Sequence, residues 1–436
     1  MSADPEQSPA EQGRVRRGEW PALLVSLAYF FCVLTAYYVI RPVREQLSAA
    51  VGSTQLPWFY LATFISTLAL TPLFAALVSR WRRRVMVPVV YGVFVACLLG
   101  FMPFFAHQDA LDARTLGIVF FVWVSVFNLF VVSVFWVFMS DIWSPVQARR
   151  LFPLIGFAGT AGALAGPVIT RSLVGVVGIA PLLGVSATLL TVATICSIVL
   201  GRWARDEQRP ETLDDAPLGG GMLDGLKQVF ASPFMRNMAI LLILADGIGT
   251  INYALLADYS GATFATGEAR TAFAATVDLA SNVFTMLLQV GVTWWLMPLI
   301  GPGRALILWA AVAMVSLALV VFASDAYAPL VGTMPAVAVA AIASRALGYG
   351  LAEPSRHALF TQVARSERYK GQNAVDTAVW RFGDLLVALT MNGMKTLGAS
   401  VGGVASIGLA AAAAAAAIGW RLSRVRDLVT PVSRRT

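Results

Sequence analysis

Residues 20–45 read WPALLVSLAYFFCVLTAYYVIRPVRE. Positions 20–40 carry no charge at all. A helix rises about 1.5 Å per residue, so about 20 apolar residues cross the ~30 Å hydrocarbon core of a bilayer. The run is too long for the apolar part of a signal peptide and lacks a small-residue cleavage site, so it reads as a retained membrane helix. Similar runs recur near 57–79, 85–105, 115–139, 151–171, 180–201, 235–256, 271–297, 303–323, 328–350, 373–395 and 399–420. The chain has 436 residues, 58% of them hydrophobic and only 13% charged, with a mean hydropathy of +0.72. Soluble domains carry roughly 25% charge, and the ten-residue alternation of a membrane barrel is absent.

The expected fold is therefore an all-α membrane protein of about twelve transmembrane helices, arranged as two pseudo-symmetric six-helix bundles. A polar stretch, 202–234, falls after the sixth span and contains Gly219-Gly220-Gly221. It divides the chain into a tail (1–19), a first bundle (20–201), a linker (202–234), a second bundle (235–421) and a last tail (422–436). A short surface helix is expected at 222–231.

The net charge of +8 is a topology signal. With the N-terminus inside, roughly 24 basic residues fall on the inner side and roughly 6 outside, as the positive-inside rule requires. Both termini are expected in the cytoplasm, in a membrane of the bacterial inner type. A nucleic-acid-binding protein would instead gather those charges on one soluble face.

Several chemistries are excluded by pattern. The triple glycine is followed by Met-Leu-Asp, so no nucleotide-hydrolysing P-loop is readable. Cys32, Cys97 and Cys196 lie inside apolar runs, and the only histidines are His107 and His357. Neither a disulfide framework, nor a metal set, nor a His-Glu-x-x-His protease motif follows, and no cofactor is called for.

Charges at membrane depth are costly and mark function or pairing. Arg41, Arg44 and Glu45 share one helix face with Tyr37 if the helix continues past Pro42; otherwise Arg41 opens an outer loop. Arg345 sits inside the tenth span and is expected to line a cavity or to pair with Asp376 or Glu353. Arg381 faces solute or pairs with Asp384 three residues on. Asp246 and Asp278 sit inside apolar runs and are each a candidate coupling carboxylate or a structural partner of an arginine, and Asp376 is a further coupling candidate. Asn252, Asn282 and Gln289 read as interhelical hydrogen-bond groups. Asp141 is the natural partner of the arginines from Arg80 to Arg84, a loop similar to the Asp-Arg-x-Gly-Arg-Arg loop of major facilitator transporters, with Ser79 in the Asp position. Trp136 and Trp143, like Trp294 and Trp295, read as interfacial anchors, and the alanines at 410–417 as a close helix contact.

Together these segments resemble the nucleotide transporter family of ATP/ADP translocases. That family's first helix ends in a motif like Arg-x-x-Lys-Asp-x-Leu, here Arg41-Pro-Val-Arg44-Glu45-Gln-Leu47. Its fourth helix runs through Phe-Trp to an acid and a basic turn, here Phe135-Trp136, Asp141 and Arg149-Arg150-Leu-Phe-Pro153. Its Pro-Thr-Lys and Lys-Gly-Lys motifs resemble Pro354-Ser355-Arg356 and Lys370-Gly371-Gln372, with Asp376 and Arg381-Phe382-Gly383 following. The chain departs from it in the seventh helix, where Asn252-Tyr253-Ala254-Leu255 and Tyr259 lack the family's Glu and Lys.

The resemblance implies a major-facilitator-like secondary transporter working by alternating access on a small, nucleotide-like anion. Arg41, Arg44, Glu45, Arg345 and Arg381 are the expected solute contacts. Asp141, Asp246, Asp278, Asp376 and Arg80 are the expected coupling or gating residues. Anion exchange is expected, because arginines without counterions resist closure of an empty cavity. A proton-coupled symporter and a non-transporting scaffold stay open as alternatives. The expected partners are the anion and membrane lipid, with no nucleic acid, and the expected working unit is a monomer.

Overall fold

The computed structural model describes residues 17–80, 83–106, 113–206, 232–323, 325–360 and 380–424. Among these, twelve helices follow one another. They are α1 (Trp20–Val51), α2 (Leu56–Arg80), α3 (Arg83–Ala106), α4 (Ala113–Ile142), α5 (Pro145–Val177), α6 (Ala180–Asp206) and α7 (Pro233–Thr263). The last five are α8 (Gly267–Leu288), α9 (Pro302–Phe322), α10 (Ala336–Leu347), α11 (Trp380–Thr396) and α12 (Val401–Ser423). Two of them run on through a π-helical turn. Gln289–Thr293 joins α8 to a helix at Trp294–Ile300, and Gly348–Ala352 joins α10 to a helix at Glu353–Phe360. Ten of these helical runs are long and apolar enough to span a bilayer among the described residues. The linker helix expected at 222–231 lies outside the described residues.

Two spans differ from the sequence reading. The helix at Arg41 does not end there. It continues through Pro42 to Val51, so Arg41, Arg44 and Glu45 are helical and Arg41 opens no loop. Pro42 removes one donor from the helix, and nearby carbonyls are held from other helices: Thr170 Oγ1 donates to the Val39 carbonyl at 3.0 Å and Ser186 Oγ to that of Ala36 at 2.8 Å. The tenth span is displaced by several residues. Residues 328–335 form a hairpin of β1 (Pro329–Val331) and β2 (Met334–Pro335), turned at Gly332 with φ 59°. Pro335 then stands immediately before α10, where a missing N–H costs nothing. Valine, leucine and methionine suit a strand as well as a membrane helix, so hydropathy alone misplaces this boundary.

The helices gather into two compact units, formed by the described residues of the following segments. The first draws on Met1–Arg44, Ser66–Asp112 and Val122–Ala216. The second draws on Glu45–Ile65, Ala113–Phe121 and Pro217–Thr436, and so takes in one end each of α1, α2 and α4.

In the first unit, α5 lies directly on α1. A Cβ at Gly162 would stand 2.5 Å from the Phe31 carbonyl oxygen, and one at Gly166 would stand 2.5 Å from the Tyr38 Cβ. Small residues at this spacing let two membrane helices approach backbone to backbone. Tyr29 donates its hydroxyl to Tyr91 (2.9 Å), which donates to the Val131 carbonyl (2.9 Å), so α1, α3 and α4 share one buried relay. Trp143 is buried and its ring packs on Trp203 at 5.4 Å, while Trp136 packs on Phe30 and Phe152. The Trp143 indole is thus packed into the core of this unit against α6, while Trp136 is half-buried. Trp294 and Trp295 have side chains outside the described residues.

In the second unit, the alanine run of α12 is the close contact expected of it. Ala412 and Ala415 are fully buried in a core with Trp309, Ala313 and Leu317 of α9 and Ile248 of α7. A second core joins Leu56, Phe59 and Phe121 to Ile251, Leu255, Val337, Met391 and Val404.

A candidate coupling site in the second unit

Asp278 and Arg345 face each other from α8 and α10. Arg345 Nη1 donates to Asp278 Oδ1 at 2.5 Å, with the side chains 20% and 3% exposed respectively. Asp278 lies about 16 Å along its helix from Gly267, and Arg345 about 14 Å along from Ala336. Both therefore sit near the middle of a bilayer-length helix, where a lone charge is costly and a pair is tolerated. Arg345 Nη2 is buried without a hydrogen-bond partner among the described residues, as are the hydroxyls of Ser281, one turn on from Asp278, and Ser344.

Just beyond the pair, the two π-turns lock onto each other. Gln289 Nε2 donates to the Tyr349 carbonyl at 3.2 Å, and Thr293 Oγ1 donates to the Gly350 carbonyl at 2.6 Å. A π-turn displaces carbonyls from the regular ladder, and polar side chains of the facing turn take them up. Gln289 is thus the interhelical group expected from sequence, whereas Asn252 donates within its own helix to the Ile248 carbonyl at 2.9 Å.

Glu353, one of the two partners expected for Arg345, takes Arg356 instead. Arg356 donates through Nη2 at 2.5 Å and Nε at 3.0 Å, and His357 Nε2 stands 3.0 Å away. The other expected partner, Asp376, lies outside the described residues.

The remaining candidates fall as follows. Arg41 and Arg44 are half-buried on α1 in the first unit, with the Arg41 guanidinium 5.6 Å from the centre of the Tyr38 ring. Glu45 follows on α1 in the second unit and is also half-buried. Asp141 is half-buried near the end of α4. Asp246 is half-buried on α7 beside α11, since a Cβ at Gly383 would lie 3.5 Å from its Oδ2. Arg80 lies on α2 and Arg381 on α11, and both have side chains outside the described residues.

A polar cluster that sequence reasoning did not find stands at another level of this unit. Asp258 of α7 pairs with Lys395 of α11 and accepts from Ser53 in the turn between α1 and α2. Both charges lie near helix ends, where a basic or acidic residue is unremarkable in sequence. Beside them, Tyr327 precedes β1. Burial first, then the negative fields of Asp258 and Asp325, push its hydroxyl up to about 12.

These two units of membrane helices define a class: the fold is that of the major facilitator transporters. A bacterial homologue of the iron transporter ferroportin is similar, with a TM-score of 0.64 at 15% identity, covering 96% of this chain and 100% of that one. The nucleoside transporter NupG gives a TM-score of 0.62 at 14% identity, covering 94% and 99%. The xylose transporter XylE from E. coli gives 0.60 at 12%, covering 96% and 98%. No protein-family model matches the chain, and no curated protein matches it in sequence.

Proposed function

We propose that this chain is a secondary transporter of a small anionic solute, working by alternating access in a membrane of the bacterial inner type with both termini in the cytoplasm. One observation carries the reading: at membrane mid-depth the Arg345 guanidinium gives Nη1 to Asp278 and keeps Nη2 buried and without a partner among the described residues. A buried charged donor left unsatisfied is costly, and a carboxylate or phosphate of the solute meets a guanidinium in the bidentate geometry it favours. The fold neighbours carry solutes as unlike as a nucleoside and xylose, so they support transport and do not choose the solute. A nucleotide-like anion is proposed from the sequence resemblance alone. Arg41, Arg44, Glu45 and Arg381 stand as further solute contacts, Asp246 and Asp376 as further coupling carboxylates, and Asp141 with Arg80 as a gate.

The pair also bears on coupling. The argument for exchange needs arginines that lack a counterion when the carrier is empty. Arg345 has one in Asp278. A solute anion that takes Arg345 displaces Asp278, which then becomes neutral by taking a proton. Anion and proton cross together, and the restored ion pair lets the empty carrier return. Proton symport is therefore the favoured reading. Anion exchange is the second reading.

A thermal-shift screen of the purified protein against nucleotides, phosphorylated metabolites and other organic anions tests the site. At least one anion should raise the melting temperature. Arg345→Gln should cost roughly 2–5 kcal/mol of that binding. A panel with no stabilising anion, or an Arg345→Gln variant that binds like the parent, contradicts the reading and favours a non-transporting scaffold.

A further inference from the structure

The turn between α1 and α2 is fastened at one point. Ser53 is 3% exposed, and its backbone N–H donates to Asp258 Oδ1 at 2.9 Å. Its hydroxyl donates to Asp258 Oδ2 at 3.0 Å and accepts from Lys395 Nζ. Lys395 also pairs directly with Asp258. One carboxylate thus holds the turn by two hydrogen bonds, and one ammonium neutralises that carboxylate.

The surroundings seat the turn on the same two helices. One turn on from Asp258 along α7, a Cβ at Gly261 would collide with the Ala49 carbonyl, so α1 and α7 meet backbone to backbone here. Next to it, Leu56 and Phe59 of α2 and Phe121 of α4 are sealed against Leu255 and Tyr259 of α7 and Met391 of α11. The α1–α2, α7–α8 and α11–α12 connections all join an odd helix to the next even one. In a chain that crosses the membrane at every helix, all three lie on one membrane face.

We infer that Asp258 is a gating residue: with Lys395 it latches the α1–α2 turn at Ser53 and keeps this membrane face closed. The inference rests on the transporter reading, in which each face opens in turn. Opening separates the turn from α7 and α11. The two bonds that Ser53 donates to Asp258 then break, together with the one it accepts from Lys395. Asp258 and Lys395 belong to helices of the same half and keep each other, so no lone charge is left behind. The latch is thus strong enough to select a closed state and cheap enough to release, because hydrogen bonds to an ionised acceptor exceed neutral ones while the ion pair survives. Tyr327, the titratable neighbour on the hairpin side, stays neutral well above physiological pH and adds no competing charge.

The test needs no solute. Cys32, Cys97 and Cys196 are replaced by alanine, and single cysteines are placed at Ala49, buried under the latch, or at Ala193, buried in the first unit. Maleimide labelling rates are read on protein in nanodiscs. Asp258→Asn should raise labelling at position 49 on the order of tenfold, and Ser53→Ala, which keeps the backbone bond, by about threefold. Position 193 should not change in either. Unchanged rates at 49 in both variants overturn the latch, and so does an equal rise at 49 and 193, which would mean general loosening. Failure to find a transported solute leaves these rates as they are, so the two failures are distinguishable.

Discussion

The unit that contains Tyr29 and Tyr91 joins its helices through hydroxyls, aromatic edges and glycine contacts. In the unit that contains Asp278 and Arg345, ion pairs stand at three heights: Lys395–Asp258 toward one end, Arg345–Asp278 in the middle, and Glu353 with Arg356 and His357 toward the other. Neutral contacts hold helices at small desolvation cost. Buried ion pairs give little net stability compared with well-packed apolar residues. On the proposed transport reading, their presence at membrane depth is better explained by what they do during a cycle than by how firmly they hold the fold.

The largest expected effect comes from breaking the central pair on one side only. Asp278→Asn should leave Arg345 charged and uncompensated and cost ~3–5 kcal/mol in detergent unfolding. Adding Arg345→Gln should return most of that loss. If the double variant stays as unstable as the single one, the pair is structural and the contrast between the units fails.

Next comes Gly166→Val in the first unit. The added side chain has no room beside Tyr38, so overpacking should cost ~1–3 kcal/mol and lower the melting temperature. Tyr91→Phe should cost about 1 kcal/mol, because Tyr29 loses an acceptor and the Val131 carbonyl a donor. Neither change should alter the dependence of transport on a proton gradient. A coupling defect from either would show that the first unit takes part in proton handling.

The smallest effect is expected at the interlocked π-turns. Thr293→Val removes the donor to the Gly350 carbonyl and should cost ~0.6 kcal/mol, in line with single hydrogen bonds inside membranes. A loss several times larger would make the two π-turns a stressed element.

Span count and membrane class were legible because bilayer thickness imposes one length on every helix. So were the individual charges, since Asp278 and Arg345 each stand out in an apolar run. That Asp278 could pair with an arginine was legible, but which arginine was not. The pair joins residues 67 positions apart on different helices, a separation that no periodicity marks. The hairpin before α10 was missed for the opposite reason, since its apolar residues fit a membrane helix equally well. Lys395 and Asp258 were missed because each lies near a helix end, where charge is ordinary. Trp143 was misread because tryptophan is common at interfaces, while its burial depends on Trp203, sixty residues away.

The most direct test of the central claim is uptake into proteoliposomes of the anion that binds most strongly. An imposed inward proton gradient should drive uptake into vesicles that contain no anion. Asp278→Asn should still bind the anion but lose the response to the gradient. Uptake that requires anion inside the vesicle and ignores the gradient, with Asp278→Asn behaving as the parent does, would contradict the assignment of the Asp278–Arg345 pair as the coupling site.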